Sequence, residues 1–488
     1  MNIMNKPKKA MPVTTLIPAF VTSLKTLSFS VFVSCLSLPT LAIEAQLSSL
    51  LKLTDQGIRL DTSLLGGLTS KDSDVALMKL YNDMLTQADT GVLDKSMVQP
   101  SWLISDVAQY NKMLEPLQVA RVDIDKYQSQ LPQYKQLSAA LDNLIQWRNH
   151  ANDRIPDDVI LGYEDPKTAN DKSRAYHKKY NKILQQWLFD LSLLQQVNDD
   201  YSDELSKQMT DIQLKFRLSP DGRYGKNTRR AILALTNERI ELLKINLERL
   251  RWLPQRLPYP HVLVDIAGFK VSWHPDAKTQ IITKAIIGQK HKQTPIFEDK
   301  IEAITVNPRW KVPHSIAKSI LKSQQKDENY LTDNEFEVYA DWKDNAPKVD
   351  PSKVTWSTVT PTSLRYRFEQ LPGDQNALGR FKLNLANKFG IYLHDTNHKE
   401  LFSNNKRALS SGCTRVEGID QLLLQILAHQ KMSIELDPIL EEGKTKKVKL
   451  AKAVPIYFLY FTAWPDEFGQ INYREDVYKK DEGLKGWF

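Results

Sequence analysis

The chain has 488 residues, of which 41% are hydrophobic and 25% are charged, and its formal net charge is +8 at pH 7. Four of the positive charges are lysines within residues 1–42, which leaves only +4 on the remainder. The length predicts two to four domains. No basic cluster is interleaved with aromatic residues, so the composition excludes a nucleic-acid-binding protein.

Residues 1–42 have the pattern of a secretory signal peptide. They contain lysines, no acidic residue and the apolar run TLSFSVFVSCLSLPTLA, which ends in small residues at Thr40 and Ala42. The run is too short to span a membrane comfortably, so we expect export with cleavage near Ala42. An uncleaved membrane anchor is the alternative.

Residues 43–204 predict a helical scaffold. Apolar residues recur there at helical spacing in two segments, which are Tyr134, Leu137, Leu141, Leu144 and Ile145, followed by Leu184, Trp187, Leu188 and Leu191. Each set marks one face of a helix that has to pack against another element. We expect these faces to form a core and to carry no catalytic residue.

Two short helices joined by a turn are predicted at 205–252. Asp221-Gly222 marks the turn, Gly225 is expected to take a positive φ, and the second helix runs through Leu235. The pattern D-G-x-x-G-x-x-T in this segment resembles the peptidoglycan-binding domain 1 module. A plain helix-turn-helix connection is the alternative, because Asp-Gly turns are common.

From about residue 260 the apolar spacing changes to period two. Apolar and polar residues alternate in VLVDIAGFKVSWH, QIITKAIIG and IEAITVN, and further strands are expected at RFKLNL, FGIYLHD and VPIYFLYFTAW. A polar and partly helical insertion interrupts these strands at about 315–360, and VEGIDQLLLQILAHQ predicts a later helix. The C-terminal half is therefore predicted to be rich in β-structure.

Cys413 is a candidate nucleophile. The other cysteine, Cys35, lies in the predicted signal peptide, so after cleavage Cys413 has no partner for a disulfide. Its neighbours SSGCTR are polar and turn-like, which argues against the alternative of a buried structural cysteine. A thiol nucleophile needs a base, and His394 ends a predicted strand 19 residues earlier. His394 and His398 lack the H-E-x-x-H pattern, so we expect no metal site.

The stretch IYLHDTNHKELFSNNKRALSSGCTRVEGIDQL resembles the signature of the L,D-transpeptidase catalytic domain, of the YkuD type. The segments LPGDQNALGRFKLNL and VPIYFLYFTAW extend this resemblance. It implies an α-helical scaffold and a small helical peptidoglycan-binding module, followed by a mainly β catalytic domain at 260–445 that is β-sandwich-like and α+β. The insertion would cap the active site. Residues 446–488 would form a strand and a tail packed on the scaffold or the catalytic domain.

The resemblance also implies a reaction. Cys413 would attack the third residue of a tetrapeptide stem, with His394 as base and the amides around Gly412 and Cys413 holding the oxyanion. Terminal D-alanine would leave, and an amine of a second stem would resolve the thioester as a 3→3 cross-link. No cofactor is implied. The expected partners are peptidoglycan stem peptides and glycan, carbapenem-type inhibitors and other cell-wall enzymes, for a monomer in the periplasm.

Four further residues take roles from the resemblance. Ser411 stands where the family usually has histidine, and it would orient the loop. Arg415 would order the loop or the substrate carboxylates, and Tyr392 and Asn376 would contact the substrate. Two alternatives stay open, namely a catalytically decayed cell-wall-binding scaffold and a cysteine L,D-carboxypeptidase that hydrolyses the same acyl-enzyme. Retention of both the cysteine and the histidine argues against decay.

Overall fold

The computed structural model describes residues 52–59, 73–105, 128–162, 171–198 and 201–488, and the predicted signal peptide lies outside these ranges. Two compact units account for the described residues. The first contains 52–59, 73–92, 128–130 and Phe488, and the second contains the rest. A search of the described helices finds no segment with both the length and the apolar character needed to cross a membrane.

The first unit contains helix α1 (Ser73–Thr90). Leu80, Met84 and Ala88 are buried and lie four residues apart, on one face of α1. The side chain of Gln87 accepts a hydrogen bond from the backbone N–H of Arg59 (2.8 Å) and donates one to its carbonyl (3.2 Å). These bonds hold the segment at 52–59 against α1.

The second unit begins with a helical part. Its helices are α2 (Lys95–Val98), α3 (Pro132–Arg154), α4 (Asp171–Asp190), α5 (Asp203–Lys215) and α6 (Lys226–Arg251). Both predicted apolar faces are confirmed as buried. The rings of Trp147 on α3 and Trp187 on α4 stack at 5.4 Å with an interplanar angle of 7°. The helical spacing in this part of the sequence was therefore a reliable guide to its core.

The turn between α5 and α6 is organised by the side chain of Gln213. Its oxygen accepts from the backbone N–H of Gly222 (2.9 Å), and its nitrogen donates to Asp221 (2.8 Å). Gly222 has φ +66°, and a Cβ there would lie 2.5 Å from the hydroxyl of Ser206. Gly225 is extended at φ −145° and precedes α6. The positive φ predicted for Gly225 is wrong, because the tight approach to α5 occurs at Gly222.

The strands of the second unit follow in chain order. They are β1 (Trp102–Leu103), β2 (His261–Asp265), β3 (Lys270–His274), β4 (Ile281–Gly288), β5 (Ile296–Val306), β6 (Trp310–Lys311), β7 (Phe336–Tyr339), β8 (Lys348–Val349), β9 (Arg367–Gln370), β10 (Phe381–Leu385), β11 (Leu393–His394), β12 (Ala408–Ser410), β13 (Thr414–Val416), β14 (Lys446–Leu459), β15 (Ala463–Pro465) and β16 (Ile471–Tyr473). Two helices follow β13, namely the one at Ile419–His429 and the one at Leu436–Glu441.

The main sheet closes on itself. Its order is β5-β10-β11-β13-β4-β3-β2-β14, and β14 pairs back onto β5. Val306 of β5 shows the closure, since it is opposite Phe381 of β10 on one side and opposite Lys446 of β14 on the other. The predicted β-sandwich-like arrangement is therefore corrected to a barrel. The long strand β5 has hydrogen-bonded neighbours along both edges, which leaves no gap at which two sheets could separate.

One face of the barrel strands forms a continuous core. Ile304, Leu383 and Leu393 lie side by side on β5, β10 and β11 and are completely buried. Because side chains alternate between the two faces of a strand, the neighbours of these residues in sequence lie on the opposite face. That opposite face carries the polar residues discussed below.

The segment between β5 and β10 forms a subdomain. Strands β6 to β9 form a separate sheet in the order β6-β9-β7-β8, together with helices at His314–Lys326 and Tyr330–Asp333. Leu321, Leu331 and Phe368 belong to a buried apolar cluster of its own. The predicted insertion at about 315–360 lies within this subdomain, and its capping role stays a prediction.

The segment after β14 folds back onto the helical part. A buried ion pair joins Nη1 of Arg249 on α6 to Asp481 at 2.7 Å. Tyr460 and Tyr478 stack at 5.6 Å, and the hydroxyl of Tyr460 donates to Asp476 (2.7 Å). Residues 460–481 are thereby fixed to α6.

Replacing Asp481 with asparagine is expected to lower the free energy of unfolding by about 3–5 kcal/mol, because the charge of Arg249 stays buried without its partner. Urea denaturation followed by tryptophan fluorescence would measure the change. Glu482→Gln is the matched control, since it breaks the exposed pair with Lys479, and it should leave the denaturation midpoint unchanged. Equal midpoints for the two variants would contradict the assigned importance of the buried pair.

Candidate active site

Cys413 lies in a tight loop between β12 and β13. Gly412 before it has φ +122°, a conformation that residues with a side chain rarely adopt. The hydroxyl of Ser410 accepts a hydrogen bond from the N–H of Gly412 (3.1 Å) and donates one to the carbonyl of Cys413. Ser410 therefore closes the loop across the cysteine.

A second set of hydrogen bonds holds the loop from behind. The hydroxyl of Thr294 donates to the carbonyl of Gly412 (2.7 Å) and accepts from the N–H of Gly288 (2.9 Å). The hydroxyl of Tyr478 donates to the carbonyl of Gly288 (2.6 Å). In a trans peptide the carbonyl and the following N–H point in opposite directions, so the N–H of Cys413 points away from Thr294.

Strand pairing sets which side chains share a face with Cys413. Strands β11 and β13 are parallel, with Leu393 opposite Thr414 and His394 opposite Arg415. Opposed residues on paired strands project to the same face, and so do residues two apart. His394 and Arg415 therefore lie on the same face as Tyr392 and Cys413. Lys382 of β10 pairs with His394 and joins the set.

The thiol is surrounded by polar groups and by aromatic surface. Sγ lies 3.7 Å from the carbonyl oxygen of Gly390. Burial raises the pKa of Cys413 above its ordinary value, while the backbone N–H and the hydroxyl of Tyr392 oppose this shift. The positive charges of Lys382 and Arg415 oppose it too. Trp310, the first residue of β6, lies beside Tyr392 and opposes the effect of burial on the pKa of its hydroxyl.

His394 is buried beside two cations. Burial is the main cause that lowers its pKa to about 3, and the charges of Arg415 and Lys382 add to the effect. Its Nδ1 is buried and has no hydrogen-bond partner among the residues that the structure describes. The imidazole is therefore neutral at neutral pH, and it can accept a proton only transiently.

Arg415 and Ser411 differ in their surroundings. Burial lowers the pKa of Arg415, while the negative charges of Cys413 and Glu400 oppose this. Its Nε is buried, and no described residue hydrogen-bonds to it. Ser411 is exposed to solvent. The hydroxyl that orients the loop is that of Ser410, one residue before the position that the resemblance indicated.

Asn376 lies behind the site rather than in it. Its side chain is completely buried. The amide nitrogen donates to the carbonyls of Leu371 (2.7 Å) and Pro308 (3.0 Å), and the oxygen accepts from the N–H of Leu378 (2.8 Å). The expectation that Asn376 contacts the substrate is therefore corrected, because all of these bonds go to the backbone at the base of the subdomain.

Sequence reasoning missed Lys382, Ser410 and Thr294. Lys382 had a signal, since a lysine between Phe381 and Leu383 in an apolar strand must lie on the face opposite the core. Ser410 was missed because the resemblance indicated its neighbour Ser411 as the residue that orients the loop. Thr294 had no signal, because it is distant in sequence and meets Gly412 only through the strand order.

Across the described part of the chain, no group of three or more His, Cys, Asp and Glu residues could hold a metal ion. A cavity of about 820 Å³ opens beside Asp395 and Thr396, directly after His394. Cys413 does not line this cavity, so its thiol lies outside it.

Two comparisons relate this region to known proteins. Residues 259–439 match the family model described as the L,D-transpeptidase catalytic domain, YkuD. A protein of Haemophilus influenzae (strain ATCC 51907 / DSM 11121 / KW20 / Rd) named "Putative L,D-transpeptidase" is 32% identical over 245 residues. That match covers 50% of the present chain and 48% of the relative, so it spans about half the length of each. The family match includes both His394 and Cys413.

Replacing Ser410 with alanine is expected to loosen the cysteine loop and to cost about 1–3 kcal/mol of stability, because the buried N–H of Gly412 loses its acceptor. Hydrogen exchange of the peptide at 408–415 would report faster exchange, and denaturation would report the stability loss. Ser411→Ala is the matched control and should change neither measurement. A larger effect at Ser411 than at Ser410 would refute the assignment.

The lowered pKa of His394 predicts a pH dependence of stability. Between about pH 6.5 and pH 3 the unfolded state takes up a proton that the folded imidazole does not, so stability falls as the pH falls. The slope contributed by one such histidine reaches about 1.4 kcal/mol per pH unit. Denaturation midpoints at pH 7, 6 and 5 should fall more steeply for the wild type than for His394→Gln. Parallel curves would show that His394 titrates normally.

Proposed function

We propose that the protein is a cysteine L,D-transpeptidase that forms 3→3 cross-links in peptidoglycan. The match of residues 259–439 to the L,D-transpeptidase catalytic domain supports the general class. The observation that carries the finer proposal is the loop at Cys413. It presents the thiol on the same face as a neutral imidazole and two cations, and it does so within the matched region.

In the first step, Sγ of Cys413 attacks the carbonyl carbon of the third residue of a tetrapeptide stem. The S–C bond forms, the C–N bond to the terminal D-alanine breaks, and His394 carries the thiol proton to the departing amine. The depressed pKa of His394 favours rapid donation of that proton. The N–H of Cys413 is the donor for the oxyanion, because that of Gly412 already binds Ser410.

In the second step, the neutral side-chain amine of an acceptor stem attacks the thioester carbonyl. The new C–N bond forms as the C–S bond breaks, and the amine proton returns to the sulfur through His394. The hydroxyl of Tyr392 lies beside the sulfur in both steps. Arg415 offers a guanidinium to a stem carboxylate, since carboxylates are its preferred partners.

The subdomain between β5 and β10 is assigned the role of a lid. Trp310 begins its first strand, β6, and lies beside Tyr392, whose hydroxyl lies near the thiol. A cover over the thioester would exclude water and favour transfer over hydrolysis. Binding of glycan by residues 205–252 and residence in the periplasm complete the proposal.

The test is product analysis with purified protein and disaccharide-tetrapeptide. Mass spectrometry should detect released D-alanine and a dimer joined between third residues, and both should disappear in Cys413→Ala. The variant removes only the sulfur, and Cys413 has no disulfide to lose. A dimer that persists without Cys413 would refute the proposal. A tripeptide without dimer would favour the L,D-carboxypeptidase, and unchanged substrate would favour the binding scaffold.

A further inference from the structure

The face that carries Cys413 has an excess of positive charge. Lys382 and Arg415 are both half-buried there, and each affects the pKa of the thiol through its charge. Within the described ranges Lys382 has no ion pair and no hydrogen-bond acceptor, and its ammonium lies over the aromatic ring of Tyr392. Placing an ammonium in such a site costs free energy, because burial disfavours the charged form.

Lys382 is held on the side of the thiol. Its Nζ lies 3.9 Å from the centroid of the Tyr392 ring, and the hydroxyl of the same ring contacts Sγ of Cys413. On its other side, Thr305 of β5 separates Lys382 from Lys447 of β14, whose charge repels it. The ring of Tyr392 therefore favours a position of the ammonium near Cys413, and the charge of Lys447 disfavours a position on the opposite side.

The imidazole of His394 does not provide the positive charge that a thiolate at Cys413 would need. His394 pairs with Lys382 on one side and with Arg415 on the other, and both cations disfavour an imidazolium between them. A thiolate that forms at Cys413 needs an opposite charge nearby, since an isolated anion in a half-buried site is costly. Glu400 lies close enough to Arg415 to compete for its charge, whereas no carboxylate in the described part of the chain competes for Lys382.

We propose that Lys382 is the counter-charge of the Cys413 thiolate and positions the reactive form of the sulfur without taking its proton. Lys382 stays protonated throughout, while the thiol proton goes to His394 and then to the departing amine. The inference rests on the proposed function for its place in turnover. The test of this inference needs no peptidoglycan substrate. The inference about Lys382 can therefore fail while the proposed function holds, and the proposed function can fail while the inference holds.

The experiment is alkylation of Cys413 with neutral iodoacetamide between pH 5 and pH 10. Trypsin releases residues 408–415 as one peptide, so mass spectrometry follows Cys413 separately from Cys35. In Lys382→Met, which keeps an alkyl chain over the tyrosine ring, we expect the reaction midpoint to rise by about one pH unit and the rate at pH 7 to fall about tenfold. Lys382→Arg should restore the rate to within about threefold of the wild type.

The matched control is Lys388→Met. Lys388 also lies over an aromatic ring, with Nζ 5.5 Å from the centroid of Phe389, but it is exposed. Its alkylation profile should equal that of the wild type. A rate for Lys382→Met equal to or above the wild-type rate would overturn the proposal. Loss of fold cannot imitate the expected result, because unfolding exposes the thiol and speeds its reaction.

Anionic iodoacetate separates the thiolate role from attraction of a substrate carboxylate. If Lys382 stabilises the thiolate, Lys382→Met slows both reagents. A loss confined to iodoacetate, with an unchanged midpoint for iodoacetamide, would overturn the proposal in favour of a carboxylate subsite. Equal losses in Lys382→Met and Lys388→Met would also overturn it, since they would reflect only the general surface potential.

Discussion

The parallel pairing of β11 with β13 is the constraint on which the site depends. A register with His394 opposite Arg415 forces Tyr392 and Cys413 onto the same face, and it places Leu393 and Thr414 in the core. A shift by one residue would bury the thiol on the wrong side of the sheet. The barrel fixes this register, because β10 and β4 pair with the outer edges of the two short strands.

The electrostatics of the site follow from that placement. Strands β10, β11 and β13 each contribute one basic or titratable side chain to a row, namely Lys382, His394 and Arg415. Burial, together with the charges of Arg415 and Lys382, keeps the imidazole neutral, and the same two charges oppose the effect of burial on the pKa of the thiol. A neutral imidazole beside a thiol and two fixed cations differs from a thiolate–imidazolium pair, in which histidine is both the proton acceptor and the counter-charge of the thiolate.

The candidate residues could be identified from the sequence, but the way in which the fold brings them together could not be predicted from it. Periodicity predicted the strands around His394 and Cys413, since alternation is a local property. It could not predict the barrel, because closure depends on the pairing of β5 with β14, which lie far apart in the chain. The same limit applies to Thr294, which reaches Gly412 only after folding. At Gly222 the error was local, since either glycine of the turn could have taken the positive φ.

The bond from Tyr478 to Gly288 has a consequence for the order of synthesis. Gly288 and Thr294 support the cysteine loop, but Tyr478 follows every barrel strand in the chain. As the protein emerges from the ribosome, the barrel strands and Cys413 are made before the residue that secures them. The loop at Cys413 therefore acquires its final geometry only when the segment at 460–481 has folded back onto α6. A nascent chain that stops short of this segment carries the thiol but not its complete support.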